Sequence, residues 1–427
     1  MDRLIANPTI AVISDLHIGE GNKSLDQFVS DAEFGRLLLD VIPKRFGPKT
    51  SLVINGDFVD FPQIAPSVGR HYLGDRLGAT AAESVRRMQL AIAAHPAVFT
   101  NLQKYIERGG QVVLLAGNHD PEFYWPDVLG ALRSAIGGAK EQDFRFIEQG
   151  ELHERSIHIE HGHQYSFDNR FNSWPNPIVQ APDGRRLERP WGTLFLDLVY
   201  NQIESLWPFV HIVHPHSRLA WLALSHFADK EEVPIAVLAK LCAFFLAKGK
   251  RLILGRLLGP PDQHDEVQMD SSEGLLERLL DTVAPKLSSS QRKSIMAETM
   301  ALLLDSAGET EIYKDEAAPT GLLGQTDERG LSRRTKELLT QGDITIVAYG
   351  HTHVAVNGNL PKERLFAPDD PRRVFNTGSW MPSVALGQLE SISWKELTSR
   401  KRTHELYYLA IDCNDAPQAN LELLNSY

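Results

Sequence analysis

The sequence predicts an α/β protein that carries its chemistry on the ends of its strands, and two observations lead there. Short apolar, β-branched runs of buried-strand length recur along the chain and alternate with helical stretches. Most of these runs break into a polar, glycine-marked turn, which is where open α/β sheets place their ligands. Composition agrees: of 427 residues, 42% are apolar and 23% charged, ordinary values for a chain long enough to bury a large core.

In chain order, the run at 9–13 (TIAVI) leads into Ser14-Asp15-Leu16-His17 and then a helical stretch over 25–41. The run at 51–54 (SLVI) leads into Asn55-Gly56-Asp57, followed by a helical pattern over 80–108. The run at 111–116 (QVVLLA) ends in Gly117-Asn118-His119-Asp120, and strands follow around 144–147 and 156–161, the latter reaching His161-Gly162-His163. Late in the chain, 344–349 (ITIVAY) runs into Gly350-His351-Thr352-His353 and 373–375 into Asn376-Thr377-Gly378-Ser379, while 404–411 forms a last strand. The middle differs, with Trp, Pro and Leu early and acidic amphipathic stretches later. It predicts a helix-rich insertion or cap over 166–342 that divides one domain into 1–165 and 343–427.

The net charge of −11 argues against bulk nucleic-acid binding, which needs excess Lys and Arg. Two cysteines, Cys242 and Cys413, are too few for a disulfide framework or a thiolate zinc site and fit a reducing compartment. With no signal-peptide pattern and no run of about 18 uncharged apolar residues, the expected location is the cytoplasm.

Five strand ends thus deliver carboxylates, imidazoles and an amide: Asp15 and His17, Asp57, Asn118, His161, and His351 with His353. That donor mixture suits first-row divalent metals, and seven ligand-type residues exceed the need of one ion but fit two sharing a bridge. Each motif alone is a common turn; the informative signal is all five occurring in order, each after an apolar run. His163 also follows a glycine and competes with His161, which is preferred because it ends its strand; His163 is then a substrate-facing residue, an outer partner of a ligand or a loop histidine. Asp60 either orients a ligand histidine or is a solvated turn acid.

The ordered set D-x-H, G-D, G-N-H-D, strand-end His and G-H-x-H resembles the calcineurin-like metallophosphoesterase superfamily over about 10–165 and 344–412. The resemblance implies a four-layer αββα sandwich with a dinuclear site at the strand ends. Asp15, His17 and His353 would hold the first metal, Asp57 would bridge, and Asn118, His161 and His351 would complete the second. His119, held by Asp120, would protonate the leaving oxygen of a phosphomonoester or phosphodiester attacked by a metal-bridging hydroxide. Mn²⁺ is the first choice of metal, with Fe, Zn, Ni and Co as alternatives.

Beyond the motifs, Arg70 and His71 lie in the loop after the Asp57 strand, where they either bind phosphate or are solvated. Residues 233–261 contain no acid and alternate Lys and Arg with Leu, Ile and Phe. They predict either contact with an anionic membrane surface or, preferably, buried helices with snorkelling lysines. The large apolar insertion favours a small or lipid-linked phosphoester, with a nuclease, a phosphoprotein phosphatase and a non-catalytic binding scaffold as alternatives.

Overall fold

The computed structural model of the chain describes residues 7–65 (except 23–24), 77–193 (except 167–168 and 191), scattered positions between 196 and 246, 272–305 (except 286), 326–358 (except 341), 372–385, 402–413 and 417–424. Two sheets form its centre. The first has six strands: β1 (Thr9–Ile13), β2 (Ser51–Asn55), β3 (Gln111–Leu115) and β4 (Phe144–Phe146) run parallel in that order. The antiparallel pair β14 (Tyr407–Asp412) and β15 (Gln418–Leu423) extends it beyond β1. The second sheet, in spatial order, is β11 (Val356–Gly358), β12 (Arg373–Asn376), β10 (Ile346–Tyr349), β6 (Ile157–Glu160) and β5 (Glu151–Glu154), and the short strands β9 (Val213–His214) and β13 (Val384–Ala385) pair separately.

The alternation of side chains along each strand builds the layers. Ile10, Val12, Val53, Val113 and Leu115 face the second sheet and pack on Ile157, Ile159, Ile346, Ala348 and Phe375. The alternate residues Ala11, Ile13, Leu52, Ile54, Val112 and Leu114 face outward into a cluster with Phe34, Met88, Phe99 and Leu132. Those four come from the helical layer: α1 (Asp31–Arg36), which passes through a π-turn at Leu37–Val41 into α2 (Ile42–Phe46), then α3 (Ala81–Ala94), α4 (Pro96–Glu107) and α5 (Pro126–Ala135). Because β1, β2 and β3 are covered on both faces, every residue in them is buried, which is why they read as continuous apolar runs.

The stretch expected to be one helix over 80–108 is two. Thr80 starts α3 with a capping box closed by Glu83. His95 leaves the helical conformation because the ring of Pro96 disfavours helical backbone at the residue before it, and Pro96 then occupies the first turn of α4.

The fourth layer is α8 (Thr326–Thr340), which follows α6 (Ser272–Val283) and α7 (Ser289–Asp305) in the chain. It lays Leu331, Leu338 and Leu339 on Val347, Tyr349 and Val374 of the second sheet. This completes the αββα sandwich with a helix drawn from the 166–342 stretch. The hairpin β7 (Ile178–Ala181) and β8 (Gly184–Leu187) also returns to the sandwich, since Gly78 N donates to Leu187 O at 2.7 Å and Leu187 joins the outer core of the first sheet.

Within 233–261, the described side chains Leu238, Ala239, Leu241, Cys242, Ala243 and Leu246 are buried, and Thr299 Oγ1 of α7 donates to Ala239 O at 3.3 Å. The basic residues of this stretch, Lys240, Lys248, Lys250, Arg251 and Arg256, lie outside the described residues. Among the described residues, no helix is long and apolar enough to cross a membrane.

The loop after β1 is anchored by His95. Its Nε2 pairs with Asp26 at 2.8 Å and its Nδ1 with Asp31 at 3.0 Å. Burial opposes the charged imidazole, but the two carboxylates outweigh it and lift His95 to about 9. A pKa raised on folding stabilises fully below the unfolded value near 6.5 and is lost as pH climbs towards about 9. Thermal melts from pH 6 to 10 should therefore show stability falling through that window in the wild type. The slope should flatten in His95→Gln, and equal slopes would remove His95 from the linkage.

Candidate metal centre

All five motif-bearing turns emerge at one edge, where the ends of the two sheets meet. β1 delivers Asp15 and His17, β2 delivers Asp57 and β3 delivers Asn118 and His119, while β6 and β10 of the second sheet deliver His161, His351 and His353. Five of these residues, Asp15, His17, Asp57, His351 and His353, sit in the left-handed region at φ 50° to 69°. Such backbone is costly for residues with a Cβ and clusters at sites that the surroundings hold firmly. Two glycines make room for it. A Cβ on Gly117 would collide with the Asp57 carboxylate, and one on Gly350 would come within 2.6 Å of Asp15 Oδ2.

The side chains converge in two groups that share Asp57. In one, Asp15, His17, Asp57 and His353 bring their donor atoms within 4.8 Å of one another. Within it, His17 Nε2 lies 3.1 Å from His353 Nε2, and His353 Nε2 lies 3.2 Å from Asp15 Oδ1. In the other, Asp57 meets His161 and His351, with His161 Nε2 at 3.1 Å from Asp57 Oδ2. Asn118 stands beside this second group through Asn169, whose amide oxygen accepts from Asn118 Nδ2 at 3.4 Å and whose Nδ2 lies 3.5 Å from His351 Nε2.

The donor set fits divalent ions. Burial opposes the ionised Asp57, yet the imidazoles of His161, His119 and His17 outweigh it and hold the carboxyl well below the usual range. His161 Nδ1 lies 2.8 Å from the carbonyl of Asn55, which can only accept, so the proton sits on Nδ1 and Nε2 turns to Asp57. Asn118 Oδ1 is buried without a hydrogen-bond partner, and His161 Nε2 faces the Asp57 carboxylate at 3.1 Å. A buried acceptor left unpaired is costly, and a cation is the partner both atoms suit.

Asp60 settles two questions at once. Its Oδ2 accepts from His17 Nδ1 and its Oδ1 from His119 Nδ1, each at 2.9 Å, so it is no solvated turn acid. The expectation that Asp120 holds His119 is corrected. The Asp120 carboxylate turns back to the main chain and accepts from the backbone N–H of Gly117 (2.6 Å), Phe58 (2.7 Å), Asp57 (3.2 Å) and Val59 (3.4 Å). It ties the G-D turn to the G-N-H-D turn. Burial opposes the charged His119, but Asp60 and Asp57 lift it to about 10, and its backbone N–H donates to Asp57 Oδ1 at 2.8 Å.

This geometry and the family comparison agree. The chain matches the calcineurin-like phosphoesterase family over residues 8–232. It belongs to the calcineurin-like phosphoesterases. Comparison with curated proteins gave no match. The family match contains the first four motif turns, and the second sheet adds the fifth by pairing β10 directly with β6.

His161 rather than His163 reaches the converging donors. His163 is buried one layer back, its ring 5.4 Å from that of His161 and edge-on to Trp174 at 4.4 Å. Burial and the neighbouring His161 and His351 hold it well below its ordinary value, so it stays neutral. Arg70 and His71 lie outside the described residues. Asn169 carries no motif signal in the sequence. A further group, Glu151, His158 and Glu160, also brings its donors together, but Arg334 already pairs with both carboxylates at 2.9 and 3.2 Å.

The two aspartates should separate in experiment. Asp120→Ala strips four backbone N–H groups of their acceptor and should cost at least about 2 kcal/mol in denaturant unfolding. Asp60→Ala should cost less stability but slow aryl phosphate turnover about a hundredfold or more. Wild-type unfolding in Asp120→Ala, or wild-type turnover in Asp60→Ala, would contradict these assignments.

Proposed function

We propose that the protein hydrolyses a phosphomonoester or phosphodiester at a dinuclear centre, with Asp15, His17 and His353 on one ion, Asn118, His161 and His351 on the other, and Asp57 between them. The sharing of Asp57 by two convergent donor groups is the observation that carries this reading. When bound, the two ions supply the nucleophile by acidifying water and offset the charge of the phosphoryl oxygens. Mn²⁺ is the first choice of ion, as oxygen and imidazole donors are mixed.

The chain's own part in the reaction falls to His119 and Asp60. The carboxylate of Asp60 fixes His119 Nδ1, which leaves Nε2 as the proton donor to the departing oxygen. Its raised pKa keeps that proton in place near neutrality. Asp60 also orients His17, so one carboxylate sets both a metal ligand and the acid. Asp120 acts through the backbone of both loops as a positioning residue.

Two features favour a small or lipid-linked substrate. Thr193 and Asn201, from the apolar stretch after the β7–β8 hairpin, reach the site loops. Thr193 Oγ1 donates to Asn118 O at 3.5 Å and Asn201 Nδ2 to Pro62 O at 2.8 Å, with Leu196 buried between them in sequence. The net charge of −11 disfavours a polyanionic nucleic acid.

Protein reconstituted with Mn²⁺ should hydrolyse mono-aryl or bis-aryl phosphate and lose activity to a chelator. His119→Ala should keep its metal and lose about a hundredfold or more in turnover. Metal-independent hydrolysis, or unchanged turnover in His119→Ala, would overturn the reading.

A further inference from the structure

β12 runs parallel to β10 with Asn376 opposite Tyr349, so the turn Asn376-Thr377-Gly378-Ser379 emerges beside the G-H-T-H loop. It contributes no metal donor, yet nearly all its polar groups address the first ligand group. Asn376 Nδ2 donates to Gly350 O at 2.6 Å and to Thr352 Oγ1 at 3.1 Å, while its Oδ1 accepts from Gly378 N at 2.9 Å. Ser379 Oγ and the Trp380 N–H both donate to Asp15 O at 3.0 Å. Those two bonds brace Asp15 in its left-handed conformation at φ 54°.

The Asp15 side chain is held from the same turn through Ser14. Ser14 Oγ makes a short hydrogen bond to Asp15 Oδ2, and a carboxylate can only accept, so the single Ser14 proton is committed there. Its alternative acceptor, Gly378 O, is farther away at 3.3 Å. The 2.6 Å contact between Ser14 Oγ and Thr377 Oγ1 therefore has Thr377 donating. The result is a buried directional chain, Thr377 O–H to Ser14 O–H to Asp15 Oδ2, with all three residues at 0% exposure. Consecutive hydrogen bonds of one sense strengthen one another, and outer partners of this kind commonly set ligand affinity. The chain addresses Oδ2, the backbone N–H of His351 donates to both oxygens at 3.1 Å, and Oδ1 also faces His353 Nε2.

We infer that the Asn376–Ser379 turn is the positioning element of the first metal, with Thr377 acting through Ser14 to aim the Asp15 carboxylate. This rests on the dinuclear reading above. The test is titration of metal-free full-length protein with Mn²⁺, read by calorimetry and by bound-metal analysis, with circular dichroism as the folding control. Wild type should bind two ions. Thr377→Val should weaken one of them about 10- to 100-fold and spare the other, and Thr377→Ser should restore wild-type affinity.

Ser14→Ala should match Thr377→Val, and the double variant should bind no more weakly than Ser14→Ala alone, because Thr377 reaches Asp15 only through Ser14. If Thr377→Val does not fold, Ser14→Ala and Thr377→Ser carry the comparison. Two ions bound at wild-type affinity by Ser14→Ala or Thr377→Val, or additive losses in the double variant, would overturn the inference while leaving the dinuclear reading intact. Fewer than two ions bound by wild type would instead overturn the dinuclear reading.

Discussion

A single carboxylate oxygen organises the site. Asp57 Oδ2 lies 3.1 Å from His161 Nε2 and 3.7 Å from His17 Nε2, and these two imidazoles belong to different sheets. Both donor groups pass through Asp57, so the edges of the two sheets must be held in fixed register. Asn55, two residues before Asp57, does this with its side chain and main chain. Its Nδ2 donates to Glu160 O at 3.0 Å, and its carbonyl accepts from His161 Nδ1 at 2.8 Å. The apolar layer between the sheets supplies the stability, and these few buried bonds supply the alignment.

The same constraint explains the cost visible in the backbone. Five donor-bearing residues occupy left-handed conformations, and each loop is braced from outside the donor set. Asp120 gathers the backbone N–H groups of the second and third turns, Asp60 fixes His17 and His119 together, and the turn after β12 grips the first and fifth. Much of the rigidity comes from neighbours outside the donor set, an arrangement expected where geometry must hold before substrate arrives.

Much of this was legible in the sequence, for a definite reason. Strands buried on both faces read as apolar runs, and the first, TIAVI, coincides with β1 from end to end. The turns after them are short, so a motif fixes where its side chains emerge. The partner of His119 was not legible. Asp120 is its neighbour in sequence, but adjacent side chains in such a turn diverge, and the true partner, Asp60, is 59 residues away. The fourth layer was hidden as well. α8 is rich in charged residues, with Leu331, Leu338 and Leu339 as its only strong apolar signal, so the sequence pattern places it in an insertion. Strand β5 (ELHE) has one buried apolar residue, Leu152, too little to stand out.

The most direct test of the account is anomalous diffraction at the manganese edge from crystals of the Mn²⁺-loaded protein. The shared carboxylate predicts two peaks about 3.5–4 Å apart on either side of Asp57, one against Asp15, His17 and His353 and the other against Asn118, His161 and His351. A single peak, or two peaks that do not share Asp57, would contradict it.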